Sequence, residues 1–538
     1  MQYVLIVLLL LFSAGLQAEQ VLSRVQVQGT SNRAFLRQFR NDSQTLPLQK
    51  KQASLHSIKR KAAADVEKIV DIAKYLGFYD VKVSHVVIEA IPVQILFQID
   101  LGKKYTLASF QVESYETAPK VIPLKDLHLE VGMPIGNQQL SEAERILIWT
   151  LKRKGYAHCH ITRKELIADA ANHTLDATFF VEPGPLIRFG NIQLFGNSTV
   201  SAEAILKRIL WKEGDHYDPK KIAETRESLE KTGLFSSLVI SEEPDLLSEN
   251  SLPITIDVQE SKHKSIGAGV SYATSFGPGV RAEWENRNYR GEGEKLTFRT
   301  EVWEKYQTAL LSLTQPCFHT RNQDLIWVLE YNKLHTIAFD SISYNCSSLF
   351  QRRLNRETEI GFGARLERLH SRSVQERNTY YLIKAPLQFK WSNANNLLDP
   401  TKGETLNIKL TPASQLLTPH FFYAAHTTSL SSYHSLPGDS LTLAAKVVFG
   451  NIIGASRYSI PPPDRFYGGS ENVLRGYRAY SVSPLHDRRI PTGGRSILAG
   501  SFETRFRTKT DLGWVFFYDI GNVYTTNIPK ITSTQLHS

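Results

Sequence analysis

The sequence predicts three small α+β repeats in tandem, each ordered β-α-α-β-β, followed by a transmembrane antiparallel β-barrel. Three observations predict it. A helical pattern closes on a glycine and a nearby aromatic three times, at Gly77, Gly155 and Gly233, and successive glycines are 78 residues apart. Equal spacing on that scale signals repeated units. From about Ser265 the pattern changes to period-two alternation, apolar on one face and charged on the other, as in antiparallel β-structure. The only long apolar run, Val4 to Gly15, stands at the extreme N-terminus. Its length suits the core of an export signal rather than a spanning helix.

The 538 residues are too many for one ordinary core. An apolar content of 42% with 22% charged residues excludes both a disordered chain and a bundle of membrane helices. Cleavage after Ala18 gives a signal of residues 1–18, although no Lys or Arg precedes the apolar run. No cysteine stands directly after the cut, so nothing argues for a lipid-anchored N-terminus. Cys159, Cys317 and Cys346 are scattered and odd in number, which makes no disulfide framework. The net charge of +10 is spread along the whole chain rather than gathered in a patch. Nucleic acid is therefore not an expected partner.

The repeats are placed at residues 21–103, 104–185 and 186–262. Their opening strands read SRVQVQGT, ASFQVES and GNIQLFGN, and their last strands VQILFQIDLG, LDATFFVEPG and LPITIDVQES. Gly77, Gly155 and Gly233 sit where a helix must stop, because glycine takes the left-handed conformation cheaply. Helix starts are read from Ser141 with Glu144, as a capping box, and from Asp218 with Pro219, as N-cap and N1. A mixed sheet of this kind leaves an edge able to accept another strand.

Residues 264–538 are assigned to the barrel. In ETEIGFGARLER, Ile360, Phe362, Ala364 and Leu366 oppose Glu359, Arg365 and Glu367; in KLTFRTEVW, Leu296, Phe298 and Val302 oppose Lys295, Arg299 and Glu301. A soluble sandwich would also alternate. Charges on the opposite face strand after strand, with Trp284, Trp303, Trp327 and Trp391 near strand ends, fit a lipid-facing outside and a wet lumen instead. About thirteen strands can be counted, an awkward number because bacterial single-chain barrels have even counts.

Each repeat resembles the polypeptide-transport-associated (POTRA) domain. An export signal, tandem POTRA-like repeats, a barrel and the loop GGSENVLRGY (Gly468–Tyr477) together resemble the BamA/TamA superfamily of outer-membrane assembly proteins. NYRGEGEKL resembles the family's early hairpin and LDPTKGETL its Asp-Pro-Thr-basic-Gly turn. The loop matches the family's sixth extracellular loop, with Leu474 in place of the more usual valine. The resemblance implies a loop that folds back into a 16-stranded barrel, turning at Gly468 and Gly469, and locks into the lumen through the motif Arg475, Gly476 and Tyr477, with Arg475 meeting acidic groups of the wall. Phase supplies candidates: in SILAGSFETRFR, Leu498, Phe502 and Phe506 face out, so Glu503 faces in; in GWVFFYDIGNVY, Trp514, Phe516 and Tyr518 face out, so Asp519 faces in. The resemblance also implies about three more strands after Asp519, so this sequence is expected to be C-terminally incomplete or its seam closed by something else.

Three repeats resemble the TamA branch of the family. That branch implies insertion and folding of autotransporters and other β-barrel clients, through strand capture by the repeats and a lateral seam. It also implies an inner-membrane-anchored TamB-like partner on the first repeat, and outer-membrane lipids as surroundings. The alternatives are an export pore of the two-partner-secretion type for one dedicated client, and a BamA-like core insertase. No cofactor is expected. An enzyme is disfavoured, since neither G-x-S-x-G nor H-E-x-x-H occurs. In AHCHIT, alternation puts His158 and His160 on one face and Cys159 on the other, a poor metal site.

Overall fold

The computed structural model describes residues 20–114, 123–243, 250–436, 440–469, 473–487, 489–508 and 512–530. The export signal expected over residues 1–18 lies outside these described residues. The chain forms two compact units: residues 1–191, 211–221 and 242–254, and residues 192–210, 222–241 and 255–538.

The first repeat runs β1 (Gln20–Val21), β2 (Ser23–Gln28), α1 (Arg33–Asp42), β3 (Ala53–Ser54), α2 (Leu55–Tyr75), β4 (Lys82–Ile88) and β5 (Val93–Asp100). Its sheet has the order β2-β5-β4, with β2 parallel and β4 antiparallel to β5. Alternation in VQILFQID buries Val93, Ile95, Phe97 and Ile99 against Phe35, Phe39, Ile58 and Ile69 of the helices. The Asn32 side chain caps α1 by accepting from the N–H groups of Ala34 and Phe35. Asp65 is fully buried, and its carboxylate accepts from the Ser43 and Thr45 hydroxyls, 2.6 Å each, and from the Gln44 and Thr45 N–H groups. Four donors compensate a charge that could not otherwise be taken out of water.

The second repeat contains β6 (Thr106–Ser114), α3 (Asn137–Arg153), β7 (His160–Asp169) and β8 (Thr174–Glu182), in the order β6-β8-β7. Two details differ from expectation. Among the described residues its first helix is a single 3-10 turn, Leu124–Leu127. The second helix starts four residues before Ser141, because Gln139 Oε1 accepts from the Gly136 N–H at 3.1 Å and so supplies the capping contact itself. Ser141 and Glu144 therefore lie inside α3 and form no cap.

The third repeat contains β9 (Arg188–Phe195), α4 (Ala202–Leu206), α5 (Pro219–Glu230), β10 (Phe235–Glu242) and β11 (Ser251–Glu260), in the order β10-β11-β9. Asp218 Oδ1 accepts from the Lys220 N–H at 2.9 Å, just before α5.

The barrel sheet is antiparallel throughout and lies in the second unit. Its strands are β12 (Lys264–Ala273), β13 (Gly277–Asn286), β14 (Lys295–Trp303), β15 (Tyr306–Gln315), β16 (Gln323–His335), β17 (Phe339–Arg353) and β18 (Thr358–Ser373). They continue as β19 (Arg377–Lys384), β20 (Leu387–Ser392), β21 (Gly403–Gln415), β22 (Phe422–Ser435), β23 (Leu441–Gly454), β24 (Ser496–Arg507) and β25 (Gly513–Tyr524). Among the described residues these are fourteen strands, but β19 and β20 are halves of one crossing. Lys384 pairs with Arg365 and Leu387 with Phe362, so Ala385 and Pro386 fall opposite Ala364 and Gly363 in unbroken register. Pro386 lacks the N–H that would continue the ladder. Thirteen crossings result, the number counted from alternation. Phe298, Val302, Phe362, Leu366 and Phe502 are exposed on the outer face. No described helix is long and apolar enough to cross a membrane.

Candidate functional site

The segment from 455 to 495, between β23 and β24, is held to the inner wall of the barrel sheet at two places. The first is at Arg475. Its backbone N–H donates to Asp519 Oδ2 at 2.9 Å, and its guanidinium reaches both oxygens of that carboxylate, Nε to Oδ2 at 3.0 Å and Nη2 to Oδ1 at 2.8 Å. Nη1 donates to Glu503 Oε1 at 2.6 Å and Nη2 to the Ser501 hydroxyl at 2.7 Å. The guanidinium carbon lies 4.0 Å from the Phe517 ring centre. Register explains the convergence. Ser501 pairs with Asp519 and Glu503 with Phe517, so two adjacent cross-strand pairs of β24 and β25 present four groups on one face. Arg475 spans that square with charge-assisted bonds, the bidentate geometry that guanidinium suits and ammonium does not. Glu503 is shared, since its other oxygen accepts from Arg505 Nε at 2.9 Å and Nη2 at 2.6 Å.

Glycine chemistry shapes the turn that presents Arg475. Gly469 has φ +82°, and a Cβ there would lie 2.2 Å from the Arg478 carbonyl oxygen. Gly468 forms a bridge with Val482, its N–H donating at 2.8 Å. Gly476 is different: no strained φ is required, and an added Cβ would meet nothing within 4 Å. The Tyr477 N–H closes a turn onto the Leu474 carbonyl at 3.1 Å, and Leu474 itself is buried. Tyr467 and Tyr480 pack with Phe339 of β17 as three rings with centres 5.6 Å apart in every pair.

The second anchor was not foreseen, although its residues lie in IPPPDRFY directly before the glycines. Lys384 of β19 is buried, with Nζ 2.8 Å from each oxygen of Asp464 and 2.7 Å from Glu367. The Tyr423 hydroxyl donates to the same Asp464. Arg465 is also buried: Nε and Nη2 donate to the Ile460 carbonyl, Nη1 to the Thr492 carbonyl at 3.0 Å, and Nη2 pairs with Glu376. The only signal in the sequence is an Asp-Arg pair after three prolines. Lys384 and Glu367 are ordinary inward charges until the fold brings them to Asp464.

The helix-end glycines lie in the joints of the repeats. Gly77, Gly155 and Gly233 have φ of +94°, +103° and +65°. The Gly77 carbonyl accepts from the Tyr105 N–H at 3.0 Å and the Gly155 carbonyl from the Ile187 N–H at 2.8 Å, so each helix end receives the start of the next repeat. The Gly233 carbonyl accepts from Ser261 Oγ and Arg287 Nη1. At the same joint Glu260 Oε1 accepts from the N–H groups of Ser198, Thr199 and Val200 at 2.7–2.9 Å, while Oε2 meets the Thr199 hydroxyl and the His263 ring. Burial opposes ionisation of this carboxyl, but those hydrogen bonds outweigh it and hold its pKa down at about 2. Cys159 is buried while His158 and His160 are exposed.

Residues 288–537 match the family model described as the Omp85 superfamily domain, and residues 187–261 the POTRA model, described as surface antigen variable number repeat. The chain is 22% identical over 457 residues to the outer membrane protein assembly factor BamA of Nitratidesulfovibrio vulgaris, covering 80% of this chain and 56% of that protein. It is 21% identical over 495 residues to the same factor of Neisseria meningitidis serogroup B, covering 83% and 60%. The chain thus spans under two thirds of the length of these relatives. The crystal structure of BamA from Haemophilus ducreyi lacking POTRA domains 1–3 superposes with a TM-score of 0.60 at 18% identity, over 78% of this chain and 87% of that one.

Proposed function

The chain belongs to the Omp85 superfamily, an outer-membrane barrel with periplasmic POTRA repeats, and from that premise we propose that it is a TamA-like translocation and assembly factor. It inserts and folds autotransporters and other barrel clients. Client strands add to the sheet edges of the repeats and then enter beside β12, an edge of the barrel sheet among the described residues. Support comes from the edges themselves. β4, β7 and β10 each border their sheet, with Val86 and Ile88, Leu166 and Ile167, and Val239 exposed along them. An unpaired ladder beside apolar side chains is what an extended peptide needs. The first repeat docks an inner-membrane-anchored TamB-like protein by the same chemistry.

The observation that carries the proposal is the Arg475 cluster. It ties the loop to β25, the other edge of the described barrel sheet, and so acts as a lock inside the lumen. Insertion needs no nucleotide, because buried apolar surface and closed backbone hydrogen bonds drive it. Photo-crosslinkers at Val270 on β12 and at Asn407, which lines a cavity shared by the third repeat and the barrel strands, test the route. Client captured at Val270 supports lateral entry. Capture confined to Asn407 identifies an export pore for a dedicated client and removes the seam from the mechanism.

A further inference from the structure

Residue rows run around the outer face of the barrel sheet in register. One joins Phe298, Leu311, Leu329, Cys346, Leu366 and Ile383 across β14 to β19. These side chains are exposed, and Phe298, Leu311, Leu329, Cys346 and Leu366 of the row line an outward groove of about 670 Å³, low at its middle because Cys346 is small. The next row reads Tyr331, Tyr344, Arg368 and Tyr381, a band of aromatics with one guanidinium 6.0 Å from the Tyr381 ring centre. Aromatic girdles of this kind mark the edge of the hydrocarbon layer. Beyond it come Lys333, His370 and Thr379, and then Arg372 directly opposite Arg377.

Two arginines facing one another across a strand pair repel. Neither Arg372 nor Arg377 has a carboxylate within ion-pair distance among the described residues, and the two acids nearby are engaged elsewhere, Asp340 with the His335 ring and Glu376 with Arg465. The sidedness is fixed by the other end of the sheet. There the third repeat meets the turns, through Asn288 Nδ2 to the Thr199 carbonyl at 3.0 Å and Arg356 to Glu224 at 2.9 Å. That end is periplasmic, so the arginines stand at the outer leaflet.

We propose that this outer face binds a phosphorylated lipid of the outer leaflet, its acyl chains along the Leu329–Cys346–Leu366 row and its phosphate between Arg368, Arg372 and Arg377. Guanidinium forks match phosphate oxygens, and a phosphate between them offsets the repulsion of the Arg372–Arg377 pair. The apolar groove below supplies what a free anion could not use. The assignment needs only the outer-membrane location and is independent of the client.

The test is native mass spectrometry of the purified full chain with lipid A bearing both phosphates, with dephosphorylated lipid A, and with inorganic phosphate as competitor. Phosphorylated lipid A is expected to be retained at least about tenfold better than the dephosphorylated form, without competition from equimolar phosphate. Replacing Arg368, Arg372 and Arg377 together by Ser is expected to abolish that preference. Cys346→Trp, which fills the groove and leaves the arginines, is expected to weaken retention by a similar factor. Heat-modifiable gel mobility verifies that each variant is folded. Equal retention of the two lipids by the unaltered protein overturns the proposal, as does full retention by the folded triple variant; displacement by inorganic phosphate alone would make this an anion site and overturn the lipid assignment.

Discussion

Arg475 meets Ser501, Glu503, Phe517 and Asp519 through one guanidinium, so truncating it leaves two carboxylates facing each other's neighbourhood without their shared cation. Arg475→Ala is expected to cost about 3 kcal/mol. It should lower the temperature at which the folded barrel band disappears on gels by roughly 5–10 °C. Arg475→Lys keeps the charge but loses the fork, and should recover less than half of that shift. An unchanged transition in Arg475→Ala would sink the lock. Period two is enough to place Glu503 and Asp519 on one face, and the same phase carries Ser501 and Phe517 with them. Phase says nothing of Lys384, Glu367 and Asp464, which sit on three separated segments and acquire meaning only when the loop folds inward. Glu260 gives a second residue-scale prediction. Its carboxyl is held at about 2, below its ordinary value, so its contribution is fully present above about pH 4.3 and is lost as pH falls through about 2. Amide exchange at Ser198, Thr199 and Val200 should stay protected at pH 4, and Glu260→Gln should weaken that protection at neutral pH.

The loop as an element separates two glycines that look alike in the sequence. Gly469→Ala forces a left-handed residue and a 2.2 Å clash with backbone, whereas Gly476→Ala meets open space. The first should destabilise the folded loop by at least about 1 kcal/mol and the second by less than about 0.5 kcal/mol, read as protease sensitivity of the 455–495 segment. Equal sensitivity of the two would mean that Gly476 is held by something other than sterics. At the second anchor, Lys384→Met removes the buried cation that Glu367 and Asp464 share and leaves Asp464 with the Tyr423 hydroxyl, a loss of about 3–5 kcal/mol. Elements themselves were legible where periodicity is strong, as in β5, β8, β11 and the barrel crossings. They were less so where a local cap competes. Gln139 starts α3 ahead of Ser141, and the serine that resembles an N-cap is simply solvent-side sequence within the helix. Pro386 splits a crossing into two strands without moving its register, so alternation gives thirteen crossings for fourteen strands.

The whole molecule joins repeats that rest on small apolar cores to a sheet whose backbone bonds close strand to strand. The core of the first repeat is built from residues such as Phe35, Phe39, Ile95 and Phe97, and apolar burial of this size gives a domain of marginal stability that urea weakens directly. The barrel sheet is held instead by the ladders of thirteen crossings and by charged anchors across its lumen. The two parts should therefore unfold in separate transitions. Trp149, exposed in α3, reports on the repeats, and Trp327, exposed on β16, reports on the barrel. With the other tryptophans replaced by Phe, Trp149 fluorescence should change at urea concentrations that leave Trp327 unaltered. Arg475→Ala should move the Trp327 transition alone, because its partners all lie on β24 and β25. Movement of both transitions by the same amount would mean that repeats and barrel unfold as one cooperative body, and the lumen lock would then govern the presentation of the repeats as well as the firmness of the β25 edge.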